Sequence, residues 1–550
     1  MSFHIMAIDC GTESVRVGIF DFEGHLISQA SRAYKTYYPR SGWAEQDPDQ
    51  WWSSLVSAAH RALEKSSLKE DDIAGLCTDA TTCTLVPLDA RGRHLRPALL
   101  WMDVRAADQA NRIYQTKHPA LQYSISGGNA EWMLPKTLWL RENEPQVYSR
   151  TAHFVEYQDW LAYRLTGRLV LNLNTSTQRW FYNSRGWGDS THRGTDSRGA
   201  ANLQAAESVE ESRPTVPFTG SSPWPTDLWN ILGLSDLAEK IPEEVLPAGE
   251  RVGPLTTQAA GDLGLSPSTP VFQGGGDAFV ALLGLGVEQP GKLGLIAGSS
   301  NVVAGLTRRE VHGPGILGAF PDVIVPGLWL MEGGQVSTGS VLAWFKRHFA
   351  LDLPDESAYA LLDREAAKIP PGSGGLVALD YFQGNRTPYT DSLARGVLWG
   401  LSLHTSRAHL FRALMEGIAY GTLHAFETLS NLGGAYESMT ACGGATKSDL
   451  YMQIIADVCG VPISLTEVPE ASLLGCAVLG AAGLGIYEDI PKASRSMVRE
   501  TKVFEPDRAA HQTYRFYFDL YKQTYPHLRE LIHRSVRHEE KQRDRSERGD

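Results

Sequence analysis

Three consecutive glycines ending in an aspartate, Gly274, Gly275, Gly276 and Asp277, constrain the fold of this chain more than any other feature. Such a run resists a helix interior, because glycine loses the most backbone freedom on ordering and leaves its peptide groups open to water. The segment that follows, AFVALLGLG, is apolar. Asp277 is therefore expected at a loop-to-helix junction, where a single carboxylate can face out of a rigid frame. Further along the same stretch, 271–303, an apolar strand at 293–297 runs into Gly298, Ser299 and Ser300. That turn is small and rich in donors, so an anion can approach its backbone. Taken singly, each turn reads equally well as packing in a glycine-rich α/β protein.

The chain of 550 residues is too long for one ordinary core and implies two or three domains, with the best boundary before Pro270. A formal charge of -12 argues against non-specific nucleic-acid binding, and no apolar run reaches transmembrane length. Neither a nucleic acid nor a membrane is expected as a partner. The opening MSFHIMAIDCGTES lacks the basic region and long apolar stretch of a secretory signal, so a cytoplasmic location is the expectation. The six cysteines are scattered without a CxxC pair, which points to neither a zinc site nor a disulfide framework.

An apolar strand at 3–8 leads through Asp9, Cys10, Gly11, Thr12, Glu13 and Ser14 to a second at 15–20 and a turn into a third. This is a meander rather than a dinucleotide-binding strand-to-helix unit. Gly11, Thr12 and Ser14 can donate to phosphate oxygens, and Asp9 can hold magnesium through water; a plain hairpin fits the same residues. A strand at 73–77 ends in Thr78 and Asp79, well placed to face a ligand. Trp101, Asp103 and Arg105 put an aromatic wall, a carboxylate and a guanidinium in one short stretch. They can hold several sugar hydroxyls, or form an internal ion pair beside a packed tryptophan.

Helical spacing marks 133–139 and 154–165, whereas 172–180 reads as an irregular loop near the cleft and 184–201 as a polar excursion. Thr338, Gly339 and Ser340 can cap a helix beginning near Val341 and offer amide donors to a phosphate. Asn385, Arg386 and Asp391 fix a loop by the cleft or pair with one another, and 407–429 is a helix buried on one face. In GGATKS, Gly443 and Gly444 let a flat adenine and its ribose pass against the backbone; the segment lacks the ending and spacing of a Walker loop. From 528 onward, mixed charges and few core residues point to a peripheral segment.

Glycine-hydroxyl turns thus recur at 11–14, 298–300, 338–340 and 443–448, in both halves of the chain. That spread suits a nucleotide held across a cleft better than a single phosphate loop. In MAIDCGTESVRVGIFD, LLWMDVRAA, FQGGGDAFVALLGLG, the TGS segment and ACGGATKSDLYMQIIADVCG the sequence resembles the FGGY carbohydrate kinases along nearly its full length. The resemblance implies an α/β fold of two actin-like, ribonuclease-H-like domains with an interdomain catalytic cleft. It implies an N-terminal FGGY domain at 1–268 with mainly sugar and magnesium/phosphate contacts, a C-terminal one at 269–505 with the base and ATP, and a peripheral helical or disordered tail at 506–550.

ATP and Mg2+ follow as cofactors, with domain closure shielding phosphoryl transfer from water. The family pattern puts Asp9 at the metal, with Gly11, Thr12 and Ser14 nearby. It puts Gly298, Ser299, Ser300, Thr338, Gly339 and Ser340 at the phosphate end of ATP, and Gly443 and Gly444 at the adenosine end. Asp277 matches the general base, and Asp79, Trp101, Asp103 and Arg105 fall near the sugar. TDATTCTLVPLD resembles the FDAT-type segment of D-ribulose kinases and LLWMDVRAA their WMDHRA-type segment, with Thr78 replacing a phenylalanine and Val104 a histidine. The QRE pattern of glycerol kinases and the QMHG pattern of xylulokinases are absent. D-ribulose is the expected substrate; a tetritol or pentitol kinase and a catalytically weak sugar-binding regulator are the alternatives.

Overall fold

The computed structural model describes residues 3–123, 129–186 and 222–548. Most of the excursion expected at 184–201 lies outside them. Two large sheets organise the rest, and they repeat one plan. In the first, Leu26–Ala33, Ser14–Asp21 and His4–Cys10 form the antiparallel meander. Ile73–Ala80 and then Pro270–Gly276 add in parallel beyond His4–Cys10, with Arg251–Pro254 at the edge. In the second, Trp329–Gln335, Asn301–Thr307 and Lys292–Ala297 form the meander, and Ser438–Cys442 and Ile463–Thr466 add in parallel. Gly318–Pro321 and Glu500–Phe504 close its edges. His4–Cys10 is buried at every position, as a central strand covered on both faces should be.

The three glycines before Asp277 are strand rather than loop. Pro270–Gly276 belongs to the first sheet, although the expected boundary at 269 puts it in the second half. The helix Asp277–Gly284 starts directly from it. The helix Ala471–Gly483 also returns to the first sheet: Cys476 Sγ lies 3.8 Å from the Ile8 carbonyl. These two helices cross where side chains are missing. A Cβ on Gly284 would lie 2.0 Å from the Ala471 carbonyl oxygen, and one on Gly475 would lie 2.1 Å from that of Val280. The two helices thus pack backbone to backbone, in a buried cluster that takes in Ile5 and Ala7 of the first sheet and Ala304 and Leu306 of the second.

Two local expectations change. Residues 172–180, read as an irregular loop, hold a short buried helix, Leu173–Arg179, whose cap Asn172 accepts from the Thr175 N–H. The segment 506–550, read as a peripheral helical or disordered tail, holds the helix Arg508–Arg548, which is docked and not peripheral: Tyr514, Phe518, Tyr521 and Tyr525 on it are buried. Their spacing of four, three and four residues puts them on one face, a stripe that the surrounding charges conceal in a composition count. Each such ring contributes on the order of 1.5–3 kcal/mol by leaving water. Asp391 meets that helix: Tyr525 OH donates to it at 2.5 Å and His533 Nε2 lies 2.9 Å away. All six cysteines are buried and free. Among the described residues no helix is long and apolar enough to cross a membrane.

Candidate active site

The parallel strands of the first sheet end together, and each delivers an acid. Asp9 and Asp79 are register partners on adjacent strands, and Asp277 follows the end of the third. Asp9 and Asp79 are fully buried, whereas Asp277 is half-buried. Arg16, the antiparallel neighbour of Asp9, meets Asp9 Oδ2 at 2.7 Å. Cys476 Sγ donates to Asp79 Oδ2 at 3.3 Å. Asp9 Oδ1 and Asp79 Oδ1 have no hydrogen-bond partner among the described residues.

Three carboxylates that share one arginine cannot all ionise freely. Burial raises the pKa of Asp9 against the lowering effect of Arg16. Burial, and then the charges of Asp9 and Asp277, push Asp79 well above the usual carboxylate range. Asp277 is pushed up to about 7, first by burial and then by Asp9, against the Ala278 N–H and Arg16. That N–H donates to Asp277 Oδ1 at 2.7 Å. A carboxylate titrating near neutrality at a strand end is suited to proton transfer, and the unpartnered oxygens of Asp9 and Asp79 suit a hard divalent cation.

The second sheet contributes turns rather than charges. Gly298, Ser299 and Ser300 cap the hairpin from Lys292–Ala297 to Asn301–Thr307, and Thr338 and Gly339 begin the helix Gly339–Phe349. The two turns bind each other. The N–H groups of Thr338 and Ser340 donate to the Ser299 carbonyl at 2.9 and 3.2 Å, and that of Gly339 to the Gly298 carbonyl at 3.1 Å. The amides expected to await a phosphate at 338–340 therefore already have partners. Thr338 does not cap its helix through its side chain; its hydroxyl lies 2.9 Å from Asn301 Oδ1 and 3.2 Å from the Gly298 carbonyl. Gly443, at φ +96°, lies so close to the end of Lys292–Ala297 that a Cβ would sit 2.4 Å from the Ala297 carbonyl oxygen. Gly444 opens the short 3-10 turn that follows. The Arg16 charge acts on Cys442, the last residue of the strand Ser438–Cys442.

The residues expected around a sugar separate. Trp101 Nε1 donates to Thr12 Oγ1 at 2.9 Å, which ties that ring to the Asp9 turn. Asp103 and Arg105 instead form the internal ion pair. Arg105 donates through Nε and Nη2 to Asp103 at 2.8 and 2.7 Å and through Nη2 to Glu45 at 2.7 Å. Its guanidinium lies 3.8 Å from the centre of the Trp43 ring and 5.0 Å from that of Trp139. Of the two departures from the ribulose kinase pattern, Val104 is 43% exposed, and Thr78 is buried and accepts from Gln158 Nε2 at 2.9 Å.

The sequence reading missed a polar wall beside Asp277. Asn174, on the unexpected helix, accepts from the Gly276 N–H at 3.0 Å. On the same helix Arg179 lies 3.6 Å from Glu332 and 5.8 Å from the Phe279 ring centre. Ser176 Oγ, Thr177 Oγ1, both polar ends of Gln178, Arg179 Nε and Glu332 Oε2 are buried without hydrogen-bond partners among the described residues. Buried polar atoms are ordinarily satisfied, so this concentration beside Asp277 is unusual. Apolar residues are scarce from 174 to 179, and that scarcity in a buried segment was the one available signal. A separate cavity of about 420 Å³, lined by Glu288, Lys292 and Glu437 among others, adjoins the opposite ends of the second-sheet strands, away from the acids.

Residues 4–191 match the N-terminal domain of the FGGY family of carbohydrate kinases and residues 293–484 its C-terminal domain. The chain belongs to that family, and it is an ATP-dependent carbohydrate kinase of the FGGY type. A similar protein is the FGGY carbohydrate kinase domain-containing protein of Xenopus laevis, 30% identical over 94% of this chain and 95% of that one. The ribulokinase of Shouchella clausii is also 30% identical, over 95% and 94% of the two chains. The crystal structure of xylulose kinase from Rhodospirillum rubrum superposes with a TM-score of 0.81 at 26% identity, covering 96% of this chain and all of that one.

Proposed function

We propose that the protein transfers the terminal phosphoryl group of ATP to D-ribulose, giving D-ribulose 5-phosphate, in the cleft between two actin-like, ribonuclease-H-like domains. The observation that carries the chemistry is Asp277, half-buried at the first turn of a rigid helix with a pKa near neutrality. Its carboxylate accepts the proton of the sugar hydroxyl as that oxygen attacks the terminal phosphorus and ADP departs. Asp9, with Asp79, would hold magnesium, which when bound offsets the charge of the phosphates. Gly298, Ser299, Ser300, Thr338, Gly339 and Ser340 shape the phosphate end, and Gly443 and Gly444 the adenosine end. Gly11, Thr12 and Ser14 line the phosphate side of Asp9.

Trp101 forms an aromatic wall for the sugar, and Arg179 and Glu332 bind hydroxyls. The repeated strand order of the two sheets supports the two-domain reading. The TDAT and WMDVRA segments, together with ribulokinases among the similar proteins, support ribulose.

The test is formation of phosphorylated sugar with ATP and magnesium from D-ribulose, L-ribulose, D-xylulose, ribitol, erythritol and glycerol. A dominant D-ribulose product is expected. Preference for a polyol would keep the chemistry and replace the substrate. ATP binding without product from any sugar would favour a sugar-binding regulator.

A further inference from the structure

A chain of buried hydrogen bonds runs from the phosphate turn to the C-terminal helix. Thr338 Oγ1 lies 2.9 Å from Asn301 Oδ1, and Asn301 Nδ2 donates to Gln335 Oε1 at 3.2 Å. Asn301 and Gln335 face each other across adjacent strands. Thr422 Oγ1 donates to the same Gln335 oxygen at 2.8 Å, and Gln335 Nε2 donates to Asp380 Oδ2 at 2.8 Å and to the Ile418 carbonyl at 2.9 Å. Tyr521 OH, on Arg508–Arg548, completes the series with a bond of 2.7 Å to Asp380 Oδ1. Asn301, Gln335, Thr338, Asp380, Thr422 and Tyr521 are all buried.

Each amide in this chain has its orientation dictated by a neighbour. Gln335 must turn its nitrogen to Asp380, so its oxygen faces Asn301 and Thr422; Asn301 then presents its oxygen to Thr338. Asp380 therefore sets the direction of the whole series, since its carboxylate can only accept. The close approach depends on Gly421, in the helix Arg407–Gly433, where a Cβ would lie 2.4 Å from Gln335 Nε2 and 2.8 Å from Asp380 Oδ2. A buried network satisfied along its length rigidifies what it touches.

We propose that Asp380, held by Tyr521, is a positioning residue for the nucleotide: acting through Gln335 and Asn301, it fixes Thr338 and with it the phosphate turn. This rests on the reading of residues 338–340 as the phosphate end of the ATP site. It also gives the C-terminal helix a role in nucleotide affinity, although that helix lies outside both matched family domains.

The test compares the full-length wild type with Asp380→Asn and Tyr521→Phe, measuring KM for ATP, KM for the accepted sugar, and ADP affinity by calorimetry. Asp380→Asn loses one of two bonds to a carboxylate, so a rise of about tenfold in KM for ATP and in the ADP dissociation constant is expected. Tyr521→Phe removes a single oxygen and should raise both about threefold. The sugar KM should stay within about twofold, a split that general loosening of the fold would not produce. Unchanged nucleotide affinity in folded Tyr521→Phe and Asp380→Asn would overturn the proposal, as would equal rises in both KM values. If the wild type binds ADP but phosphorylates no sugar, the functional reading fails and ADP affinity alone decides the network. A wild type that does not bind ADP overturns both.

Discussion

The ends of the two sheets work by different physics. The first presents Asp9, Asp79 and Asp277 around a single arginine, Arg16, and burial holds all three acids above their ordinary pKa range. The second presents Gly298, Ser299, Ser300, Thr338, Gly339, Ser340, Gly443 and Gly444, uncharged residues whose positions come from backbone hydrogen bonds and missing side chains. One end stores a charge imbalance that a cation and a proton can relieve; the other offers a shape. Substitutions at the first should therefore change turnover and its pH dependence, and substitutions at the second should change nucleotide affinity.

The largest effect is expected at Asp277. Asp277→Asn keeps the size and removes the base, so kcat should fall by about a thousandfold or more with little change in thermal stability. Ordinary turnover by the purified variant would discard Asp277 as the base. Asp9→Asn comes next, with a loss on the order of a hundredfold if Asp9 meets the metal and phosphates. Its residual activity carries a second signature.

The base works deprotonated, so wild-type kcat/KM should fall as pH drops through about 7, the value to which Asp277 is raised. Removing the Asp9 charge lowers that pKa, so the acid limb should move to lower pH. A limb that stays in place would show that Asp9 does not act on Asp277.

At the other end, Gly443→Ala places a methyl group against the Ala297 carbonyl at a positive φ. It should raise KM for ATP about tenfold, with kcat and its pH profile intact, the cost of strain of 1–3 kcal/mol or so. A lowered kcat with unchanged KM would erase the contrast between the two ends. The smallest effect on catalysis is expected at Asp103. Asp103→Asn opens a dry ion pair, so it should lower unfolding free energy by about 3 kcal/mol in a denaturant titration while the sugar KM changes less than about twofold. A large rise in sugar KM in a fully stable variant would return Asp103 to the sugar.

Much of the first end was legible because its acids sit at strand ends that local patterns reveal. An apolar strand running into Asp9, another into Asp79, and three glycines before Asp277 each announce a terminus. The polar wall was not legible. The helix Leu173–Arg179 is buried although it has almost no apolar periodicity, and several of its polar groups are buried without partners among the described residues. The docking of the C-terminal helix was missed for the opposite reason: four aromatic residues on one face were diluted by exposed charges. Asp103 and Arg105 show a third limit. Adjacent charges along a chain suit a ligand or each other equally well, and only the arrival of Glu45, Trp43 and Trp139 from elsewhere decided for an internal pair.

By itself the sequence determined which apolar strands run into Asp9 and Asp79, and that Asp277 stands at the start of an apolar helix, since these follow from residue types and spacings a few positions long. Tertiary structure decided which acids share one arginine, which polar groups are left without partners, and which glycines let backbones touch. Those depend on segments hundreds of residues apart meeting at atomic distance, and no local pattern records such meetings.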